Sequence, residues 1–145
     1  KRGIVPEACS SYFLPRLVGI SQATEWVFTG RVFPASEALA GGLVRSVHAG
    51  DDLMAAAVAI AREIADNTAP VSVAMSRKML WHMLGASHPM EAHRVDSRGI
   101  QQRGRSADSK EGVVSFLEKR AAVYPDKVSG GLPSIFPGWE EPEFF

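Results

Sequence analysis

The sequence is short of cysteine, of charge imbalance and of long apolar runs, and each shortage excludes a class of protein. It has one cysteine, Cys9, in 145 residues. An internal disulfide framework is therefore excluded, and with no signal-peptide pattern at the N-terminus a reducing, cytoplasmic location is expected. Basic and acidic residues number 16 each, so the basic excess of a nucleic-acid binder is missing. The longest apolar stretch, Met54 to Ala61, is far below the roughly twenty residues that cross a membrane.

The motifs of common cofactor and metal sites are missing as well. No GxxxxGK[ST] or GxGxxG loop is present to hold a phosphate, and no CxxC pair occurs. The histidines at 82, 88 and 93 lack zinc-site spacing and are interpreted as solvent-facing or satisfied side chains. The arginines at 94, 98, 103 and 105 are interpreted as a solvated helix face. We therefore expect no metal and no resident cofactor.

Amphipathic segments separated by glycine and proline fill most of the chain. Seven helices are predicted, namely one through residues 12–14 that ends at position 19, then 22–29, 35–40, 53–66, 70–84, a segment from 87 to near 104, and a last helix that starts at Ser106 or Asp108. The methionines at 75, 79 and 83 recur at helical spacing and are predicted to be core or subunit contacts. Segments 31–33 and 43–48 are predicted as short strands, and residues after Tyr124 as an extended tail. Two short strands make no stable sheet alone, so the pattern predicts part of an α/β domain.

Glu7 is the acidic residue that stands apart, in an otherwise apolar and small-residue stretch from Ile4 to Pro15. A carboxylate there is expected to be poorly solvated, which would suit it for proton transfer near neutral pH. A glutamate just before a helix is, however, more commonly a partner of the helix dipole. Residue chemistry leaves both interpretations open.

Three ordered segments resemble the enoyl-CoA hydratase/isomerase (crotonase) superfamily. They are GIVPEACSSYFLPRLVG at 3–19, TGR at 29–31 followed by PASEALAGGLV at 34–44, and SADSKEG at 106–112 followed by FLEKR at 116–120. The PEACSSY form at 6–12 is most similar to the Δ3,Δ2-enoyl-CoA isomerase branch. The resemblance implies an α/β fold that is mostly helical here. Residues 1–50 would end a ββα spiral core, 51–124 would form a helical oligomerisation region, and 125–145 a Pro/Gly-rich tail.

The resemblance also implies residue roles. Glu7 would be the base that moves the double bond of a 3-enoyl-CoA into conjugation. Val5, Tyr12, Phe13 and Leu14 would form an apolar wall that tunes this base or faces the acyl chain. Phe116 and Lys119 would hold the adenine and phosphate end of coenzyme A, the alternative being a core Phe116 and a solvated Lys119. Coenzyme A would enter as part of the substrate, and the expected assembly is a homotrimer or a dimer of trimers.

Two other functions remain open from the sequence. One is an enoyl-CoA hydratase or another crotonase reaction, and the other is a non-catalytic module for assembly or acyl-CoA binding. The oxyanion-hole donors and hydratase glutamates of the family belong to segments that would precede Lys1. These 145 residues alone are therefore expected not to catalyse.

Overall fold

The computed structural model describes residues 3–136 together with Gly138, Glu140 and Glu143. These residues form seven α-helices and one short 3-10 helix. The α-helices are α1 (Ser10–Val18), α2 (Ile20–Thr29), α3 (Ala35–Ala40), α4 (Gly50–Asn67), α5 (Pro70–Met83), α6 (Pro89–Gly104) and α7 (Ala107–Glu118), and the 3-10 helix is Val128–Gly130. The chain divides into two compact units, Lys1–Val58 and Ala59–Phe145, with the boundary inside α4. The expected seven helices are thus confirmed, while the division at residues 50 and 124 stays a prediction.

The two predicted strands are wrong. Residues 31–34 have no regular structure, and the chain bends at 43–45. The bend arises because the N–H groups of Leu43 and Val44 both donate to the Ala38 carbonyl at the end of α3, at 2.8 and 3.3 Å. A strand needs a neighbouring strand to complete its hydrogen bonds, and the described part of the chain supplies none. The alternating pattern at 43–48 therefore forms an irregular connection.

Trp26 is the centre of the first unit. Its buried indole stacks on Phe33 with ring centroids 4.3 Å apart, and its N–H donates to Glu37 at 2.9 Å. Arg31 pairs with Glu37 and, at 2.8 Å, with Glu25. The hydrogen bonds from Arg31, and then that from Trp26, lower the pKa of Glu37 to about 2. This cluster ties α2 to α3 and keeps Glu37 ionised.

The core of the second unit forms where α5 packs on α6. Its buried apolar residues are Val71, Met75, Val95 and Ile135, with Met79, Met83 and Phe136 partly buried around them. The predicted role of the methionine stripe as core is confirmed by this cluster. Ile135 lies in the segment predicted as an extended tail, yet only 1% of its surface is exposed. The tail therefore contributes directly to the core.

A buried ion pair joins α6 to α7. Arg103 donates through Nη2 to Asp108 at 2.7 Å and lies 3.0 Å from an Asp126 carboxylate oxygen. Its Nε donates to the Ser72 hydroxyl of α5 at 3.0 Å, and Asp108 also accepts the Asp126 N–H at 3.0 Å. The solvated face predicted for this arginine is wrong, because its guanidinium meets the carboxylate that begins the next helix. The pair ties three helices and the following segment together.

Helix α4 carries an apolar stripe that stays exposed. Leu53, Ile60 and Ile64 leave 57, 43 and 47% of their surfaces open. Apolar surface of this extent on one helix is typical of a contact with another protein surface. Within the described residues, no helix combines the length and apolarity needed to cross a membrane.

Candidate active site

Glu7 lies in the turn that leads into α1. Its carbonyl oxygen accepts hydrogen bonds from the Ser10 N–H at 2.9 Å and from the Ser10 hydroxyl at 2.6 Å. The two residues between them, Ala8 and Cys9, are left-handed, with φ of 51° and 58°. This conformation costs an L-residue about 1–2 kcal/mol. The turn after Glu7 is therefore held in a strained shape by its closing hydrogen bonds.

The environment of Glu7 differs from the expected one. The residue is exposed, so the prediction of a poorly solvated carboxylate is wrong for this chain. The reason is that its apolar neighbours are themselves open to solvent, with Ile4 78% and Val5 81% exposed, and form no cover over the carboxylate. The apolar sequence around Glu7 is thus a surface segment of the first unit.

An apolar groove of about 170 Å³ lies between α1 and α2 and reaches the turn of Glu7. Pro6 and Ser10, on either side of that turn, line it together with Leu14 of α1. The facing wall on α2 consists of Ile20, Ala23, Thr24, Val27 and Phe28. These positions follow the i, i+3, i+4, i+7, i+8 pattern of one helix face, a signal in the sequence that our residue analysis missed. Of the proposed apolar wall, Leu14 is the member that lines this groove.

Tyr12 and Phe13 instead form a small aromatic cluster on α1. Their rings meet edge to face with centroids 5.0 Å apart. The Arg16 guanidinium lies 3.6 Å from the Tyr12 ring centroid and donates to the Tyr12 carbonyl at 2.8 Å. This places a fixed positive charge on α1 two turns after Glu7.

Phe116 and Lys119 lie in the second unit, at the end of α7. The Phe116 side chain is 81% exposed, so the alternative of a core phenylalanine is wrong. Lys119 is the C-cap residue and is left-handed, with φ 55° and ψ 41°, and its N–H donates to the Phe116 carbonyl at 3.3 Å. An exposed aromatic ring and an exposed lysine therefore occupy the same helix end.

A carboxylate brace, which we define as Glu111, Arg120 and the Val123 N–H, closes the same helix end. Arg120 donates to both Glu111 oxygens at 2.5 and 2.9 Å, and the Val123 N–H donates to Glu111 at 2.8 Å. The Arg120 bonds, followed by the Val123 N–H, lower the pKa of Glu111 to about 2, and Glu111 in turn raises the pKa of Arg120. Sequence analysis missed this pairing, although both residues stand in the motif segments that carried the family resemblance.

No cluster of three metal-ligating side chains forms among the residues that the structure describes. His88 caps α6, where its Nδ1 accepts the Met90 N–H at 3.0 Å. His82 lies against Phe136, with ring centroids 4.5 Å apart. Both histidines thus have structural contacts, as their spacing suggested.

Comparison with known proteins decides the family. The family model described as enoyl-CoA hydratase/isomerase matches residues 1–127. The chain belongs to this family. The match includes all three segments that resembled the crotonase superfamily, so that expectation is confirmed.

Relatives of the family resemble the chain in sequence and in structure. An enoyl-CoA hydratase of Alternaria alternata, AFT3-1, is 38% identical over 127 residues, which make up 87% of this chain and 42% of that protein. The structure of a probable enoyl-CoA hydratase/isomerase from Mycobacterium abscessus superimposes with a TM-score of 0.83 at 29% identity, over 86% of this chain and 51% of that one. Enoyl-CoA hydratase from Bacillus anthracis gives 0.79 at 30% identity, over 84% and 46%. The chain therefore spans about half the length of the family members it matches.

Proposed function

We propose that this chain supplies the proton-transfer residue and part of the coenzyme A site of an enzyme that acts on acyl-CoA thioesters. The proposed reaction shifts the double bond of a 3-enoyl-CoA to the 2-position. Glu7 removes a proton from C2, and the C–H electron pair moves into the conjugated system and onto the thioester oxygen as an enolate. The same carboxyl group returns the proton to C4, which leaves Glu7 ionised again. No electrons are gained or lost, so the reaction needs no redox cofactor.

The strained turn after Glu7 is the observation that carries this proposal. Two consecutive left-handed residues that are not glycine are a cost to folding, and such strain is concentrated at functional sites. Pro6 and Ser10, on either side of this turn, line the groove between α1 and α2, whose apolar lining suits an acyl chain. The resemblance assigns the oxyanion-hole donors to segments outside these 145 residues. The proposal therefore places the proton shuttle in this chain and the enolate stabilisation elsewhere in the protein.

We further propose that Phe116 and Lys119 bind the nucleotide end of coenzyme A. The support is the exposure of both side chains at one helix end, together with the left-handed conformation of Lys119. An aromatic face stacks on adenine, and an ammonium group attracts phosphate.

The test of the base is Glu7→Gln in the full-length protein. Loss of a general base typically lowers the rate by about 10²–10⁴-fold, and we expect a fall of this size in the turnover of a 3-enoyl-CoA. Coenzyme A binding should be retained, because Glu7 contacts the acyl portion in this proposal. Glu63→Gln is the matched control, since Glu63 is an exposed carboxylate on α4 bonded to Asn67. Unchanged turnover in the Glu7 variant would exclude Glu7 as the base.

Hydration of a 2-enoyl-CoA is the second candidate, and it is favoured by the names of the similar proteins, which are called hydratases. In that reaction the resemblance places the two catalytic glutamates outside this chain. Glu7→Gln should then reduce hydration far less than it reduces isomerisation. The ratio of the two rates in wild type and variant separates the candidates.

We propose that the protein assembles as a homotrimer or a dimer of trimers. The exposed apolar stripe of α4 supports association, because such surfaces are usually covered in the assembled state. Light scattering coupled to size exclusion should give a mass of three or six chains. A monomer over the accessible concentration range would contradict this assembly.

A further inference from the structure

The carboxylate brace at the end of α7 does more than stop a helix. Glu111 is nearly two turns before the helix end, and its carboxylate receives both the Arg120 guanidinium and the Val123 backbone N–H. The Arg120 N–H also donates to the Ser115 carbonyl at 3.0 Å. The chain after α7 is thereby folded back and fastened to the helix on both sides of the turn.

Lys119 lies between α7 and Arg120, and its backbone is in the left-handed region, which a lysine disfavours in the absence of other interactions. Helices commonly end with glycine in the left-handed region, since residues with a Cβ atom adopt it only at an energetic cost. The brace and the Lys119 N–H bond to Phe116 hold the residue there. A lysine at this position is thus retained against the local backbone preference, which favours a role for its side chain.

We propose that Glu111, acting through Arg120, positions Phe116 and Lys119 to receive the 3′-phosphate end of coenzyme A. This inference rests on the proposed binding of coenzyme A at the same helix end. Glu111 is a positioning residue, since its own carboxylate is occupied by Arg120 and Val123. When the brace is broken, Lys119 relaxes out of the left-handed region, and the direction in which its side chain leaves the helix end changes with it.

A positioning role of Glu111 and a purely electrostatic role predict opposite changes in phosphate affinity when the Glu111 charge is removed. Removing the negative charge of Glu111 near Lys119 would, by Coulomb attraction alone, strengthen the binding of a phosphate. Positioning predicts the opposite, a weaker interaction. Glu118→Gln is the matched control, because it removes an equal charge one residue from Lys119, while Glu118 accepts only an exposed bond from Arg120 Nε at 2.6 Å.

The experiment compares dissociation constants for coenzyme A and 3′-dephospho-coenzyme A by calorimetry on the full chain. We expect the wild-type protein to prefer coenzyme A by about tenfold, equivalent to about 1.4 kcal/mol. In Glu111→Gln and Glu111→Ala this preference should fall below about threefold, while the affinity for the dephospho compound stays within about twofold. Glu118→Gln should keep the wild-type preference. Circular dichroism of each variant checks that α7 is retained.

Each other result overturns the inference in a recognisable way. A preserved preference in Glu111→Ala means that Lys119 holds its position without the brace. Equal weakening of both ligands means that Glu111 has only a structural role. A wild-type protein that does not distinguish the two ligands refutes the phosphate site itself, and with it the proposal for Phe116 and Lys119, whatever the variants do.

Discussion

Gly41 lies against the edge of the Trp26 ring. A Cβ atom at position 41 would be 2.7 Å from Cη2 and 3.0 Å from Cζ2 of the indole, and 3.3 Å from the Glu37 carbonyl oxygen. The ring cannot retreat, because it is buried, stacked on Phe33 and bonded to Glu37. A hydrogen atom is therefore the largest substituent that this position accommodates.

Gly41→Ala should destabilise the first unit through this overlap. Overpacking of a well-filled core typically costs about 1–3 kcal/mol, and we expect a loss in that range in urea unfolding followed by circular dichroism. Gly50→Ala is the control, since no atom lies within 4 Å of the added methyl group. Equal unfolding midpoints for the two variants would contradict this prediction, because they would mean that the Trp26 side chain can move to accommodate the added methyl group.

The ionisation of Glu37 should make the first unit sensitive to acid. Its pKa in the folded protein is about 2, against 4.5 for an unperturbed glutamate, so its stabilising effect is complete above about pH 4.5. That effect is lost as the pH falls from there towards 2, because the unfolded state takes up the proton first. Glu37→Gln should unfold more easily than the wild-type protein at neutral pH, and the difference should shrink on acidification through this range. Urea midpoints measured at several pH values test this, and a difference independent of pH would contradict it.

Asp108→Asn should strongly destabilise the second unit, although the two side chains are nearly the same size. The side chain is 1% exposed and receives Arg103 at 2.7 Å, so the variant leaves a largely buried guanidinium with Asp126 as its remaining carboxylate partner. Breaking a buried ion pair in this way costs about 3–5 kcal/mol. Asp66→Asn is the matched control, because its pair with Arg62 is exposed and 3.7 Å long, and such pairs contribute about 0–1 kcal/mol. Comparable losses in thermal unfolding for the two variants would refute the distinction.

Lys119→Gly should separate stability from binding. Glycine relieves the strain of the left-handed backbone but raises the conformational entropy of the unfolded state. We expect a net gain of about 0.5–1 kcal/mol in the free energy of unfolding. The same change removes the ammonium group, so the preference for coenzyme A over its 3′-dephospho form should disappear. Lys119→Arg keeps the charge and should retain the preference without the gain in stability. A destabilised glycine variant would show that the lysine is not strained at this position.

Local signals carried the part of the fold that the sequence predicted correctly. Ser106 was predicted as a possible helix start, and its hydroxyl does accept the Ser109 N–H at 3.1 Å. The methionine stripe was predicted to be core or a subunit contact because its spacing marks one helix face, and it lies in the core. Both features depend on residues within a few positions of each other, where the spacing of the chain fixes the geometry.

The errors concern partners that are distant in the chain or open to solvent. Arg103 has a surface-like sequence context, yet it pairs with Asp108 and also with Asp126, which lies 23 positions later. The exposure of Glu7 differs from the prediction because its apolar neighbours lie on the surface and do not cover it. The strand at 43–48 failed because alternation marks a strand only where a neighbour pairs with it. Pairing with a residue as distant as Asp126, or with a second strand, is information that no short window of sequence contains.

The burial of Ile135 has a consequence for how the protein is made. Residues 1–127 contain everything that matches the family, yet the side chain that fills the space among Val71, Met75 and Val95 comes eight positions later. During synthesis on the ribosome, α5 and α6 therefore emerge before the side chain that completes their shared core. Domains fold as units while the chain emerges, so this core is completed only after residue 135 has been made. A shortened protein that ends at residue 127, where the family match ends, would lack Ile135 and leave this core incomplete.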